Sequence, residues 1–271
     1  MPTFEHDGCT NYYETDGAGR PLLLLHGLAA DNASWFTVRR RLAEKFLLIM
    51  PDNRFSGRSK AAASAASART LADDAAALLE HLGIKSAVVC GHSMGGYVAQ
   101  DFALAHADKT DALILEDTAA KSSARNNALF AALALLLAQC GYSEAFWQMF
   151  FPWLLAFDMY EKNPAGVDVS VRAAQGYPYL PTPENFARQA ELIAAFDSSM
   201  RLAAVKAPCL VLSGAQDVLI TPPETIRLAE KIPGARFESI AGVGHVPHGE
   251  APDLFAAAVE NFIAALPAHS A

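Results

Sequence analysis

Short apolar runs recur along the chain, and each stops at small or polar residues. Leu22–Leu25 stops at His26-Gly27, Phe46–Met50 at Pro51-Asp52, and Ala87–Cys90 runs into Gly91-His92-Ser93. Ala112–Leu115 stops at Glu116-Asp117, Cys209–Leu212 at Ser213-Gly214, and Arg236–Ile240 at Ala241-Gly242. The runs are continuous rather than alternating, which predicts strands covered on both faces. Helical patterns lie between them, over Ala33–Glu44, Leu71–Leu82, Met94–Ala105, Glu224–Lys231 and Pro252–Leu266. Strand and helix in alternation predict an α/β fold with a mostly parallel sheet. In such a sheet, ligands gather beyond the carboxyl ends of the strands, where these turn residues fall.

The alternation breaks over residues 121–200. This stretch has no clear strand run, is rich in Ala, Leu and aromatic residues, and is cut by Pro152, Pro164, Pro178, Pro181 and Pro183. It predicts short helices forming an inserted cap, with residues 1–120 and 201–271 making up the core. Much of its aromatic content is expected to be ordinary helical core. Trp147, Phe151 and Trp153, with Met149, are expected to present an apolar underside to a substrate, and Arg125, Arg172 or Arg54 to meet a substrate carboxylate. Arg125 is the favoured one. The Ala/Ser-rich run Ala61–Ala68 is expected to be a surface loop or helix lead-in.

Composition narrows the class. Of 271 residues, 52% are hydrophobic and 18% charged, so a sizeable core forms and disorder is excluded. A formal charge of −8 disfavours nucleic acid as a partner. The longest apolar stretch, Ala128–Ala138, is too short to cross a bilayer. The N-terminal MPTFEHDGCT has no apolar segment of the secretory kind. Cys9, Cys90, Cys140 and Cys209 show no CxxC spacing, and Cys90 and Cys209 fall in predicted central strands. Buried free thiols and a cytoplasmic location are the expectation, with a small-molecule substrate, no membrane partner, and a monomer or homodimer.

The run VVCGHSMGGYVAQDFAL carries the chemistry. Gly91-His92-Ser93-Met94-Gly95 is a G-x-S-x-G match that follows an apolar run and opens a helix. A tight strand–turn–helix elbow strains its central residue, and glycines on either side let backbones approach. Ser93 would then stand at a helix N-terminus that favours developing negative charge. The plain alternative is a serine capping an ordinary helix.

A serine nucleophile needs a base and an acid that orients the base. Of eight histidines, His245 and His248, in AGVGHVPHGEAP, follow a predicted strand. His245 is favoured as base because a Gly-Val-Gly turn precedes it; a metal-binding H-x-x-H pair is the alternative. Asp217, just past a buried strand in VLSGAQDVLITPPE, is favoured as the acid. Its rival is Asp117, otherwise expected to bond the loop leading into the cap. Two backbone donors are needed for an oxyanion, and Met94 and Leu28 are expected to supply them, with His26 pinning the Leu28 loop.

LLLLHGLAADNASW, PDNRFSGRS, GHSMGGYVAQ, LVLSGAQDVLITPP and GVGHVPHGEAP, in this order, resemble the α/β-hydrolase fold superfamily. The resemblance covers essentially the whole chain outside residues 121–200. It implies a mainly parallel eight-stranded sheet, a cap inserted after the sixth strand, and hydrolysis through an acyl-serine without a cofactor. Within the superfamily, TPENFARQAELIAAFDSSMRLAAVKAPCLVLSGAQD is similar to 3-oxoadipate enol-lactonase-like carboxylester hydrolases. Phe55 departs from the pattern, since relatives usually have glycine there; it either alters the loop or brings an aromatic near the pocket. His92 before the nucleophile suits ester and lactone hydrolases. The resulting expectation is a serine hydrolase of a small ester, lactone or related acyl bond. The alternatives are a carbon–carbon bond hydrolase of a vinylogous diketone and a ligand-sensing protein of this fold with slow turnover. A non-hydrolytic oxygenase of the fold is a more distant third.

Overall fold

The apolar runs become the middle of one sheet. The computed structural model describes residues 2–61 and 66–267. Its strands are β1 (Thr3–His6), β2 (Cys9–Asp16), β3 (Arg20–Leu25), β4 (Phe46–Pro51), β5 (Lys60–Ala61), β6 (Ala87–His92), β7 (Thr110–Glu116), β8 (Cys209–Gly214) and β9 (Arg236–Ile240). They lie in the order β1-β2-β4-β3-β6-β7-β8-β9, with the two-residue β5 added to β2. Every neighbouring pair from β4 to β9 is parallel; β1, β2 and β5 pair antiparallel. The serine-bearing strand β6 sits between β3 and β7, in the middle of the sheet.

Side chains of successive strand residues leave opposite faces, so each buried strand feeds two cores. Leu23 and Leu25 of β3 join one core and Leu22 and Leu24 the other. The first core lies under α2 (Ala68–His81), α3 (Met94–Ala105) and helices between β7 and β8; the second lies under α1 (Phe36–Ala43) and a C-terminal helix over Pro252–Ala264. Two faces covered by helices account for the continuous hydrophobicity of these strands.

Between β7 and β8 the chain forms α4 (Ala124–Cys140), α5 (Glu144–Leu154), α6 (Phe157–Lys162), α7 (Pro164–Gln175) and α8 (Pro183–Ala195). A backbone bridge between Lys121 and Asp197 closes the base of this insert. The insert follows the seventh strand counted here, one later than the family pattern, because the short β5 adds to the count. After β8 come α9 (Pro222–Lys231), β9, α10 (Pro247–Glu250) and α11 (Pro252–Ala264).

The elements differ from the sequence expectation mostly at their ends. Helix α2 begins three residues before Leu71, because Ser67 accepts from Thr70 N–H while the Thr70 side chain accepts from Ser67 N–H. A single 3-10 turn, Asn32–Trp35, precedes α1, so only part of Ala33–Glu44 is α-helical. Strand β9 is not covered on both faces: it sits at the sheet edge and only Ile240 is buried. Strands β1 and β2 escaped notice because their polar and apolar residues are mixed. Their join is a tight turn at Asp7-Gly8, both at positive φ (44° and 69°), for which an Asp-Gly pair is well suited. Of the run Ala61–Ala68, Ala61 ends β5, Ala68 opens α2, and residues 62–65 lie outside the described residues. Cys9, Cys90 and Cys209 are buried free thiols, and Cys140 is an exposed one. Among the described residues, no helix is long and apolar enough to cross a membrane.

Candidate active site

The turn between β6 and α3 holds Ser93 at φ 53°, ψ −117°, in the left-handed region that side chains rarely adopt. Such strain persists only where the surroundings enforce it. A Cβ on Gly91 would meet the Gly95 carbonyl, and one on Gly95 would meet the Leu25 carbonyl. The glycines therefore let α3 descend directly onto β6 and β3.

Ser93 Oγ lies 2.9 Å from His245 Nε2, and His245 Nδ1 lies 2.7 Å from Asp217 Oδ2. A carboxylate only accepts, so Nδ1 carries the proton and Nε2 is left to accept from the serine hydroxyl. Asp217 is fixed in turn, its Oδ1 accepting from Leu219 N–H at 2.7 Å and Ile220 N–H at 3.0 Å. The three residues follow β6, β8 and β9, so sheet order alone brings them to one edge.

Three contacts hold the His245 loop. Its backbone N–H donates to Leu154 O at the end of α5 (2.7 Å), and its carbonyl accepts from His92 Nε2–H (2.7 Å). Glu250 supplies the third: Oε1 accepts from Gly244 N–H (2.9 Å) and Val246 N–H (3.3 Å), and Oε2 from Ala156 N–H (2.8 Å). Burial raises the Glu250 carboxyl above its ordinary value, against the pull of those three amides. Burial, then His248 and His245, hold His92 well below the usual histidine value, so it is a neutral donor. Sequence reasoning missed Glu250, although its place five residues after His245 in a proline-bounded turn was a signal.

His26 is fully buried, and burial lowers its pKa. Its Nε2 accepts from Asn53 N–H (3.0 Å), and Nδ1 faces Gly27 O (3.0 Å), so it pins the loop after β3 as expected. That loop abuts Ser93: a Cβ on Gly27 would stand 3.3 Å from Ser93 Cβ. Met94 opens α3, so its N–H has no partner in a preceding turn. Leu28, one residue past Gly27, lines the same space as Ser93.

The rival residues go elsewhere. Asp117, at φ 40°, accepts from Gly214 N–H at 2.9 Å and not from the loop into the insert, which corrects that expectation. Burial, then the nearby Asp217, push its carboxyl well above the ordinary range. His248 turns from His245 to Glu116, 2.9 Å from Nδ1. Among the described residues, no group of three or more His, Cys, Asp or Glu is placed to hold a metal.

A cavity of about 120 Å³ opens over Ser93. Leu28, Phe130, Phe150, Leu154, Leu219 and Val246 form its apolar wall; Ser34, His92, His245 and His248 are its polar part. Trp147, Phe151, Trp153 and Arg125 are not on that wall, contrary to the sequence expectation. In α5, Phe150 and Leu154 reach the cavity, whereas Trp147 and Phe151 pack on each other, with Tyr142 stacked on Trp147. Arg125 lies 5.5 Å from the Trp153 ring and donates to the carbonyls of Val218 and Leu219. Arg54 is bound to Asp74, and Arg172 and Met149 are exposed. Phe55 is buried at φ 67°, with the Arg188 guanidinium 5.4 Å from its ring centre, and is not on the cavity wall.

A serine at a strand–turn–helix elbow after a central strand, with an aspartate and a histidine in loops after later strands of a parallel sheet, is the arrangement of a hydrolase fold. The chain belongs to the alpha/beta hydrolase fold family, which it matches over residues 20–252. It is 28% identical over 256 residues to a RutD protein named for carbamate hydrolysis from Azorhizobium caulinodans, covering 94% of this chain and 95% of that one. It is 29% identical to 3-oxoadipate enol-lactonase 2 of Acinetobacter baylyi, over 96% of this chain and 97% of that one. Among solved structures, a thermophilic esterase from Thermogutta terrifontis, bound to malate, superposes with a TM-score of 0.85 at 31% identity. That match covers 97% of this chain and 96% of the other.

Proposed function

We propose that the protein is a serine hydrolase of small carboxylic esters, lactones or carbamate-type acyl bonds, with Ser93 as nucleophile, His245 as base and Asp217 as orienting acid. The observation that carries this reading is the hydrogen-bonded run from Ser93 Oγ through the His245 ring to Asp217, with spacings of 2.9 and 2.7 Å. The similarity to proteins named as esterase, enol-lactonase and carbamate hydrolase supports the choice of bond.

In this reading, the substrate carbonyl carbon sits against Ser93 Oγ with its oxygen toward the amides of Leu28 and Met94. His245 Nε2 takes the Oγ proton as the C–O bond forms, and the amides hold the oxyanion. His245, its charge balanced by Asp217, then gives that proton to the departing oxygen or nitrogen, leaving an acyl-serine. Water enters, loses a proton to Nε2 and attacks the acyl carbon, and the proton returns to Oγ as the acid leaves. Residues 121–200 act as the cap, contributing Phe130, Phe150 and Leu154 to the acyl pocket. At about 120 Å³ the cavity falls below the ~300–1,000 Å³ of pockets for drug-sized ligands, which favours short acyl groups.

The test is hydrolysis of p-nitrophenyl acetate and butyrate by the wild-type protein and by Ser93→Ala. Loss of the nucleophile is expected to lower kcat by roughly 10⁶-fold, to background. Turnover that survives the substitution in a folded protein overturns the assignment.

A further inference from the structure

The same cavity carries a second polar cluster that this chemistry leaves unused. His248 lines the cavity, and it and Glu116 are both buried. His248 donates its backbone N–H to Glu116 Oε1 at 2.9 Å, and its ring Nδ1 lies 2.9 Å from both carboxylate oxygens. The ring is held between Trp35, centroids 4.4 Å apart, and His92, 4.8 Å apart. Its other nitrogen, Nε2, bonds no described residue. On the same wall, Ser34 Oγ is shut from solvent and has no hydrogen-bond partner. An unpaired buried polar atom costs on the order of 1–3 kcal/mol, so Ser34 Oγ, with an unbonded ring nitrogen of His248 on the same cavity, marks a place for a polar ligand group.

We propose that Ser34 Oγ and His248 Nε2 form a subsite for a hydroxyl group on the substrate, a few bonds from the reacting carbonyl. The placement of that carbonyl rests on the hydrolase reading above; the subsite itself does not. In the tautomer that donates Nδ1–H to Glu116, His248 Nε2 is an acceptor, and Ser34 O–H can donate. A hydroxyl does both: it donates to Nε2 and accepts from Ser34. A keto oxygen only accepts and leaves Nε2 unpaired, and a methylene leaves both atoms unpaired. The small cavity keeps the chain that bears the hydroxyl short. The substrate class is therefore a short hydroxyacyl ester or hydroxylactone rather than a plain fatty acyl ester.

The test reads binding apart from turnover. Ser93→Ala protein, which retains the cavity, is titrated with ethyl butyrate, ethyl 2-hydroxybutyrate, ethyl 3-hydroxybutyrate and ethyl acetoacetate by ligand-observed NMR. At least one hydroxy ester is expected to bind about tenfold tighter than ethyl butyrate, as one added hydrogen bond predicts. Ethyl acetoacetate, whose keto oxygen can pair with Ser34 alone, is expected to bind more weakly than that hydroxy ester. Adding Ser34→Ala is expected to remove the tenfold advantage while leaving ethyl butyrate unchanged. His248→Gln, which keeps a donor for Glu116 and loses Nε2, is expected to do the same. Equal binding of all four esters, or equal weakening of all four by Ser34→Ala, overturns the subsite. Wild-type turnover of the same esters is measured separately. Selective binding without turnover leaves the subsite standing and removes the hydrolase reading; turnover without selectivity does the reverse.

Discussion

Glu250 does not touch Ser93 and does not itself line the cavity, yet its removal is expected to slow the reaction. Its carboxylate gathers three backbone amides: Gly244 and Val246, on either side of His245, and Ala156, just past α5. In Glu250→Ala all three lose their acceptor. Gly244 and Ala156 are buried, and Val246 is partly open to water. At ~1–3 kcal/mol for each buried unpaired donor, less whatever loop relaxation recovers, the cost is about 2–4 kcal/mol. For a chain of this length that lowers Tm by roughly 4–16 °C, at about 2–4 °C per kcal/mol. The His245 ring must stay within hydrogen-bond reach of both Ser93 and Asp217, and a displacement of ~1 Å costs on the order of 100-fold in rate. Glu250→Gln keeps an oxygen for Gly244 and Val246 but turns an amide donor toward Ala156 N–H, so its losses are expected to be smaller. The assay is kcat for p-nitrophenyl butyrate beside a melting curve for each variant. If Glu250→Ala melts lower but keeps kcat within about twofold at 25 °C, the loop needs no clamp and the argument fails.

Two other substitutions test the strained and the buried groups. Phe55→Gly relieves a positive φ worth ~1–2 kcal/mol but deletes a buried aromatic worth ~3–5 kcal/mol, so a net loss of about 2–3 kcal/mol is expected in urea unfolding. A more stable variant would mean that strain outweighs packing at this turn. Asp117 has a folded-state pKa raised by burial and by Asp217, so the folded chain holds its proton more tightly than the unfolded one. Its contribution is fully present below the ordinary aspartate value and is lost as pH climbs from there through the raised value. Asp117→Asn is expected to flatten that part of a stability–pH profile, with its carbonyl still accepting from Gly214 N–H and Asn tolerating the positive φ. Parallel profiles for the two proteins would show that Asp117 is not the titrating group.

The sequence was most legible where one cause sufficed. A strand buried on both faces must be apolar throughout, so β3, β4, β6, β7 and β8 stood out as runs. An elbow needs glycines at fixed offsets, so Ser93 could be singled out, and the turn glycines then pointed to His245. Strands β1 and β2 lie at the sheet edge, where antiparallel pairing demands no continuous apolar run, and they were lost. Asp117 and Asp217 each follow a buried strand, so chain position gave no absolute choice between them. What separates them is direction: Asp217 Oδ2 meets the His245 ring, and Asp117 meets the Gly214 amide.

The cavity wall failed for a related reason. Aromatic content identified the insert, but content does not say which face of α5 looks down. Trp147, Phe150, Phe151 and Leu154 fall at i, i+3, i+4 and i+7, a single apolar stripe of α5, so spacing alone does not divide the residues that reach the cavity from those that do not. The choice is made from outside the helix. Tyr142 stacks on Trp147 at one side of the stripe, while Leu154 O receives the His245 N–H and ties the C-terminal end of α5 to the loop that carries His245. The bond that ties Leu154, a cavity-lining residue, to this loop is also one that holds His245. A change in α5 that shifts Leu154 is therefore bound to alter acyl selectivity and His245 placement together.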